Sequence, residues 1–170
     1  MFRTQELAAF VRSAVERYGI DPGNVVVVGY SNGANIAASL LLQEPGLLRA
    51  AVLFRVMVPF EPDARPDLQG PPVYLASGLR DQLVPANNAA RLADILREAG
   101  AEVAVRWTDG GHRLSAEDVA GARMARPDLH ALAGWCAGQP SNGFDSNVAR
   151  KSNGTRWTAS CLSHNRKRTG

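Results

Sequence analysis

Residues 25–33, VVVVGYSNG, are the stretch on which the reading of this chain turns. Four valines in a row, Val25–Val28, break at Gly29, and Ser31 follows with Gly33 completing a G-x-S-x-G pattern. An unbroken valine run suits a parallel strand buried on both faces. Glycines where strand, turn and helix crowd together let the chain reverse sharply. The pattern therefore predicts a nucleophile elbow: a strand, a tight turn that pushes Ser31 out at the carboxyl end of the sheet, and a helix from about Asn32 to Gln43. A hydroxyl placed there gains from the Asn32 N–H and from the positive end of the helix, both aimed where an oxyanion would form.

Upstream of the elbow, Leu7, Phe10, Val11, Ala14, Val15 and Tyr18 recur at helical spacing and stop at Gly19, which predicts an amphipathic helix lying against a sheet. Asp21-Pro22-Gly23-Asn24 reads as a turn. Downstream, Ala50–Phe54 is a short apolar strand, and residues 55–72, with Pro59, Pro62, Pro66, Pro71 and Pro72, read as a loop. Val73–Ser77 is a third strand and Val103–Trp107 a fourth, separated by a helix through Leu92, Ile95, Leu96 and Ala99 that Gly100 ends. Ser115-x-x-Asp118 is a capping box opening a last helix. Strands alternating with helices imply an α/β fold with four mostly parallel strands and flanking helices.

In such a sheet the loops that follow the strands share one edge, where ligands bind. Ser31 follows the first strand, Asp81 lies in GLRDQLVP after the third, and His112 lies in DGGH after the fourth. Taken singly, Asp81 would be an ordinary loop acid and His112 a surface histidine. Together with the elbow they supply nucleophile, orienting acid and general base in the order Ser, Asp, His. A serine hydroxyl needs a base to take its proton, and the base needs an acid to fix its tautomer.

RTQELAAF, GYSNGANIA, LFRVMVP, GLRDQLVP and GGHRLSAEDV together resemble the carboxylesterase/phospholipase branch of the α/β-hydrolases, which includes acyl-protein thioesterases. The resemblance covers about residues 3–125. It implies a partial α/β-hydrolase fold acting as a serine carboxylesterase or thioesterase, with Ser31 as nucleophile, Asp81 as triad acid, His112 as base and the Asn32 N–H as an oxyanion donor. Met57, Val58, Pro59, Leu83 and Val84 would surround the acyl group of a small ester or thioester substrate. No metal or cofactor is implied. Such hydrolases carry strands ahead of the helix that opens this sequence, and a loop after one of them gives a second oxyanion N–H. We therefore expect the carboxyl-terminal two thirds of a hydrolase, impaired in its oxyanion hole, with an unpaired strand edge that promotes self-association. The alternative is a catalytically silent fragment that serves as an interaction piece or does not fold stably.

The chain has 170 residues and is 45% apolar, an ordinary content for one globular domain. Its net charge of +3 is unevenly spread. Residues 1–125 hold 12 arginines against 14 acids, whereas residues 126–170 hold seven basic residues, including both lysines, Lys151 and Lys167, against two acids. That distribution divides the chain into residues 1–126, the hydrolase portion, and residues 127–170, a Ser-, Asn- and Gly-rich basic tail expected to be disordered. His130 and His164 fall in the tail and are not candidates for the base. Arg150-Lys151 and Arg166-Lys167-Arg168 could touch nucleic acid, but without a binding motif a solvated basic run is the better reading. Cys136 and Cys161 are too few for a metal knuckle or a disulfide framework. No stretch is apolar enough for a membrane helix, and MFRTQELAAF has no secretory pattern, so a cytoplasmic location is expected.

Overall fold

The computed structural model describes residues 2–124, and the expected tail, 127–170, lies outside them. Helix α1 (Phe2–Tyr18) is followed by a short turn of 3-10 helix (Pro22–Asn24) that Asp21 caps by accepting from the Gly23 N–H at 2.9 Å. Then come strand β1 (Val26–Tyr30), helix α2 (Asn32–Gln43), strands β2 (Ala50–Phe54) and β3 (Pro72–Gly78), helix α3 (Ala86–Glu98), strand β4 (Glu102–Thr108) and helix α4 (Ala116–Met124). The four strands form one sheet in the order β1-β2-β3-β4, parallel throughout. This is the α/β arrangement that the alternation of elements predicts.

Pleating sorts the strand residues by face. Ala51 and Leu53 of β2 and Val73 and Leu75 of β3 join one cluster with Ala34, Ala37, Ala38 and Leu41 of α2 and Leu92, Ala93 and Leu96 of α3. The three alanines let α2 lie close to the sheet, and the leucines fill the space between the helices. Val52, Phe54 and Tyr74 belong to the opposite face and are also buried, with the Phe54 and Tyr74 rings meeting edge-on at 6.4 Å. Burial on both faces is what makes β2 and β3 continuous apolar runs.

Two sequence expectations need correction. The first helix has α2 as its principal neighbour, rather than the sheet, through Ala8 and a buried Thr4–Ser39 hydroxyl pair at 2.9 Å, and Phe10 and Tyr18 of the predicted apolar stripe are exposed. The valine strand is not buried on both faces: Val28 is 67% exposed, because among the described residues β1 pairs only with β2 and nothing covers its other side. The segment after β2 is irregular, as its prolines predict. It is nevertheless folded inward at its start, where Arg55 and Val56 are as buried as any core residue.

Arg55 is the least expected occupant of that interior. Its guanidinium forms a two-pronged pair with Asp118 of α4, Nη1 to Oδ1 at 3.0 Å and Nη2 to Oδ2 at 2.8 Å, and the two side chains are 1% and 0% exposed. Asp118 also accepts from the Ser115 N–H and hydroxyl, so the predicted capping box exists but its acid serves the buried pair as well. Removing one partner leaves a buried charge uncompensated. Arg55→Met should therefore cost about 3–5 kcal/mol, whereas Arg55→Met combined with Asp118→Leu should recover most of that loss. Urea unfolding of the two variants beside the parent chain checks this.

Candidate active site

β1, β3 and β4 end on the same edge of the sheet, so the segments that leave them converge. The chain leaves β1 at Tyr30 and turns at Ser31, which has φ 53° and ψ −120°, a backbone region that L-residues rarely occupy. Its N–H still bonds the Phe54 carbonyl of β2 at 2.9 Å, and its carbonyl already accepts from the Asn35 N–H at 3.0 Å. Sheet and helix are thus joined through one residue. The turn requires Gly29: a Cβ there would lie 2.6–2.7 Å from the backbone of Gly33 and Ala34.

Ser31, Asp81 and His112 come together. Ser31 Oγ lies 2.9 Å from His112 Nε2, and His112 Nδ1 lies 2.9 Å from Asp81 Oδ2. A carboxylate can only accept, so Nδ1 carries the ring proton of the neutral imidazole and Nε2 offers its lone pair to the serine hydroxyl. The other oxygen of Asp81, Oδ1, accepts from the Leu83 N–H at 2.8 Å and the Val84 N–H at 3.0 Å. Burial pushes the Asp81 carboxyl up, but these two N–H groups and His112 outweigh it and hold the group below its ordinary value. The ionised acid is therefore fixed in orientation on both of its oxygens. Asn32 is the first residue of α2, where a helix N–H has no partner within the helix.

The residues expected to surround an acyl group are placed by anchors that sequence patterns did not reveal. The Met57 N–H donates to Asn35 Oδ1 of α2 at 2.8 Å, and the Val58 N–H donates to Asn88 Oδ1 of α3 at 2.8 Å. The segment Met57–Pro59 after β2 is thereby pinned to two helices. Leu83 exposes its side chain while Val84 buries its own, so the pair holds Asp81 through its backbone and presents only Leu83 to solvent.

The histidine segment is gripped from below. Tyr30 donates its hydroxyl to the His112 carbonyl at 3.1 Å, and its ring lies 5.6 Å from the imidazole. Arg55 Nε donates to the Gly111 carbonyl at 2.9 Å and Nη2 to the Arg113 carbonyl at 3.3 Å. The Arg80 N–H donates to the Gly110 carbonyl at 2.9 Å, and its guanidinium meets Asp109 at the surface. Gly78 permits this approach, since a Cβ there would run into the carbonyls of Gly110 and Gly111. Among the described residues there is no group of three or more His, Cys, Asp or Glu placed to hold a metal ion, and no helix is long and apolar enough to cross a membrane.

Comparison with known proteins identifies the family of this chain. The family model described as the dienelactone hydrolase family matches residues 3–126. The chain is 42% identical over 121 residues to MhqD of Bacillus subtilis (strain 168), named as a hydrolase, covering 71% of this chain and 60% of that protein. Among solved structures it resembles the Bacillus cereus carboxylesterase with a TM-score of 0.71 at 37% identity, over 78% of this chain and 60% of that one. It also resembles the Mesorhizobium loti carboxylesterase with a TM-score of 0.64 at 32% identity, over 80% and 60% of the two chains. The sequence thus spans about 60% of the length of the relatives it matches. Carboxylesterases are among its structural neighbours, as the motifs imply, and by the family model that runs from the start of α1 to beyond α4, this chain belongs to the dienelactone hydrolase family of the α/β-hydrolases.

Proposed function

We propose that this chain carries the serine-hydrolase centre of an enzyme that cleaves a carboxylic ester or thioester of a small acyl substrate. The observation that carries the reading is the unbroken relay from Ser31 Oγ through His112 to Asp81, with both links at 2.9 Å. Ser31 Oγ attacks the acyl carbon while its proton passes to His112 Nε2, and the carbonyl π electrons move onto oxygen. That oxyanion faces the Asn32 N–H and the positive end of α2. Collapse expels the alcohol or thiol, which takes the proton back from His112. Water then repeats the sequence on the acyl-enzyme, with His112 again as base. Met57, Val58, Pro59 and Leu83 line the acyl side in this reading, while the buried Val84 serves it only through the N–H that holds Asp81. The chemistry rests on residues 1–126, and the basic segment 127–170 takes no part in it. Two isolated cysteines suit a cytoplasmic enzyme.

A second reading, a catalytically silent piece that acts through interaction, is favoured by one observation. Among the described residues the outer edge of β1 is unpaired, and Val28 and Tyr30 beside it are 67% and 42% exposed. Exposed apolar edges recruit other strands.

Three outcomes check these readings. Ser31→Ala should abolish labelling by a fluorophosphonate and lower ester turnover by as much as about a million-fold, because triad members act as a unit. Turnover retained in that variant rules out Ser31 as nucleophile. The pH dependence of stability follows from Asp81. Its carboxyl is held below its ordinary 3.8 in the folded chain, so its stabilisation is complete above that pH and is lost as the pH falls through the lower, folded value. Unfolding free energy measured from pH 5 downward should therefore fall less steeply in Asp81→Asn than in the parent. Finally, size-exclusion chromatography should show concentration-dependent association, and a lysine at Val28 should weaken it. A monodisperse parent that turns over a chromogenic ester at about 10 per second would favour the first reading alone.

A further inference from the structure

The buried guanidinium of Arg55 is larger in consequence than its pairing with Asp118 explains. Burying an arginine solely to neutralise an aspartate gains little, since two apolar side chains of similar volume stabilise a core as well or better. The bonds that remain once Asp118 is satisfied are more informative. Nε reaches the Gly111 carbonyl at 2.9 Å and Nη2 the Arg113 carbonyl at 3.3 Å, the two peptide carbonyls flanking His112. Nη1 reaches the Ala76 carbonyl of β3 at 3.2 Å, which references the same fork to the sheet, and Nη2 lies 3.5 Å from Thr108 Oγ1 at the end of β4. Residues 109–115 belong to no helix or strand, so the fork is the rigid body against which this segment is set. The backbone of Arg55 is fixed as well, its N–H bonded to the Ala76 carbonyl at 2.9 Å.

We propose that Arg55 is a positioning residue for the hydrolytic step: held by Asp118, its planar fork fixes the backbone on both sides of His112 and so sets the imidazole between Ser31 and Asp81. This rests on the serine-hydrolase reading above. Two features separate it from a plain packing role. The acceptors are carbonyls of the segment that carries the base, so a fault in the fork is transmitted to the ring. A lysine keeps the charge opposite Asp118 but, as a single point donor, cannot span carbonyls two residues apart in the fork's fixed plane. A displacement of the ring by about 1 Å costs on the order of a hundredfold in rate.

The test uses the full chain and two readouts. One is the rate of Ser31 modification by a fluorophosphonate at saturating probe, together with the probe concentration giving half that rate. The other is the hydrogen-bonded Nδ1 proton of His112 in the NMR spectrum, assigned by its disappearance in His112→Gln. In Arg55→Met combined with Asp118→Leu, we expect a folded chain whose limiting modification rate falls about a hundredfold, whose half-saturating concentration is little changed, and whose Nδ1 proton is lost. Arg55→Lys should show the same split to a smaller degree, and it decides the matter if the double variant does not fold. Leu92→Ala, which opens a cavity under α3 away from the fork, should lower stability and leave both readouts as in the parent. A folded double variant, or Arg55→Lys, with the parent's rate and an intact Nδ1 proton would overturn the inference, as would absence of that proton from the parent. If the parent shows the proton but takes no label, the serine-hydrolase reading fails, and the proton alone decides whether Arg55 positions the histidine.

Discussion

The structure depends on the sharp exit of the chain from β1. Ser31 sits at φ 53° and ψ −120° with one hand on the sheet and the other on α2, bonded through its N–H to Phe54 and through its carbonyl to Asn35. A non-glycine residue held in so sparsely populated a region costs about 1–3 kcal/mol, and it persists only where its surroundings leave no alternative. Here they do not: Gly29 lets α2 approach to contact distance, and Ala34, Ala37 and Ala38 keep it there. The strain orients a hydroxyl outward at a helix N-terminus, and every other feature of the site is arranged to meet it.

The next strand repeats the manoeuvre with the opposite result. Arg55 also leaves its strand at φ 53°, and its N–H likewise bonds the neighbouring strand one position beyond the ladder, at Ala76. Ser31 turns its side chain toward solvent, whereas Arg55 turns its own inward beneath the histidine segment. The four carbonyls from Gly110 to Arg113 then find donors in the Arg80 N–H, Arg55 Nε, the Tyr30 hydroxyl and Arg55 Nη2. A segment without secondary structure must have its backbone groups satisfied some other way. In this protein three of those four donors come from Tyr30 and Arg55, which stand next to the elbow and at its equivalent on β2.

Much of this was legible in the sequence, and the reasons are physical. The strands β2 and β3 and the helix α2 announce themselves because a buried parallel strand is a continuous apolar run and its crossovers demand helical periodicity, whereas β4, an edge among the described residues, shows alternating burial. Ser31, Asp81 and His112 could be read because each follows a strand and the sheet delivers all three ends to one edge. Arg55, Tyr30, Asn35 and Asn88 could not be read the same way. Their partners are backbone groups or distant side chains, as in Arg55 with Asp118 and Met57 with Asn35, and no local spacing encodes such a pairing. One signal was available for Arg55: a single arginine inside LFRVMVP interrupts an otherwise apolar run, and a charge in that position must either be exposed or be matched. The exposure of Phe10, Tyr18 and Val28 is hidden from the sequence for a different reason. Periodicity reports that a face is apolar, but not which neighbour covers it.

Among the described residues, an edge strand of the sheet carries the most demanding residue. Among the described residues β1 has β2 on one side only, so half of its ladder groups have no strand partner, and strand segments with few buried contacts are the first to open. Opening at Tyr30 would release Ser31 from its φ and, through the Tyr30 hydroxyl, the carbonyl of His112 at the same time. Ser31 and the His112 segment are thus tied to one strand end from two directions. What holds that end is packing from the inner side: Val25 and Val27 reach the core that α2 shares with β2, while Val28 points away from it. The close seat of α2, made possible by Gly29 and three alanines, is therefore what allows an edge strand to carry a strained turn, and the fit between α2 and β1 governs the site more directly than the apolar content of the valine run does.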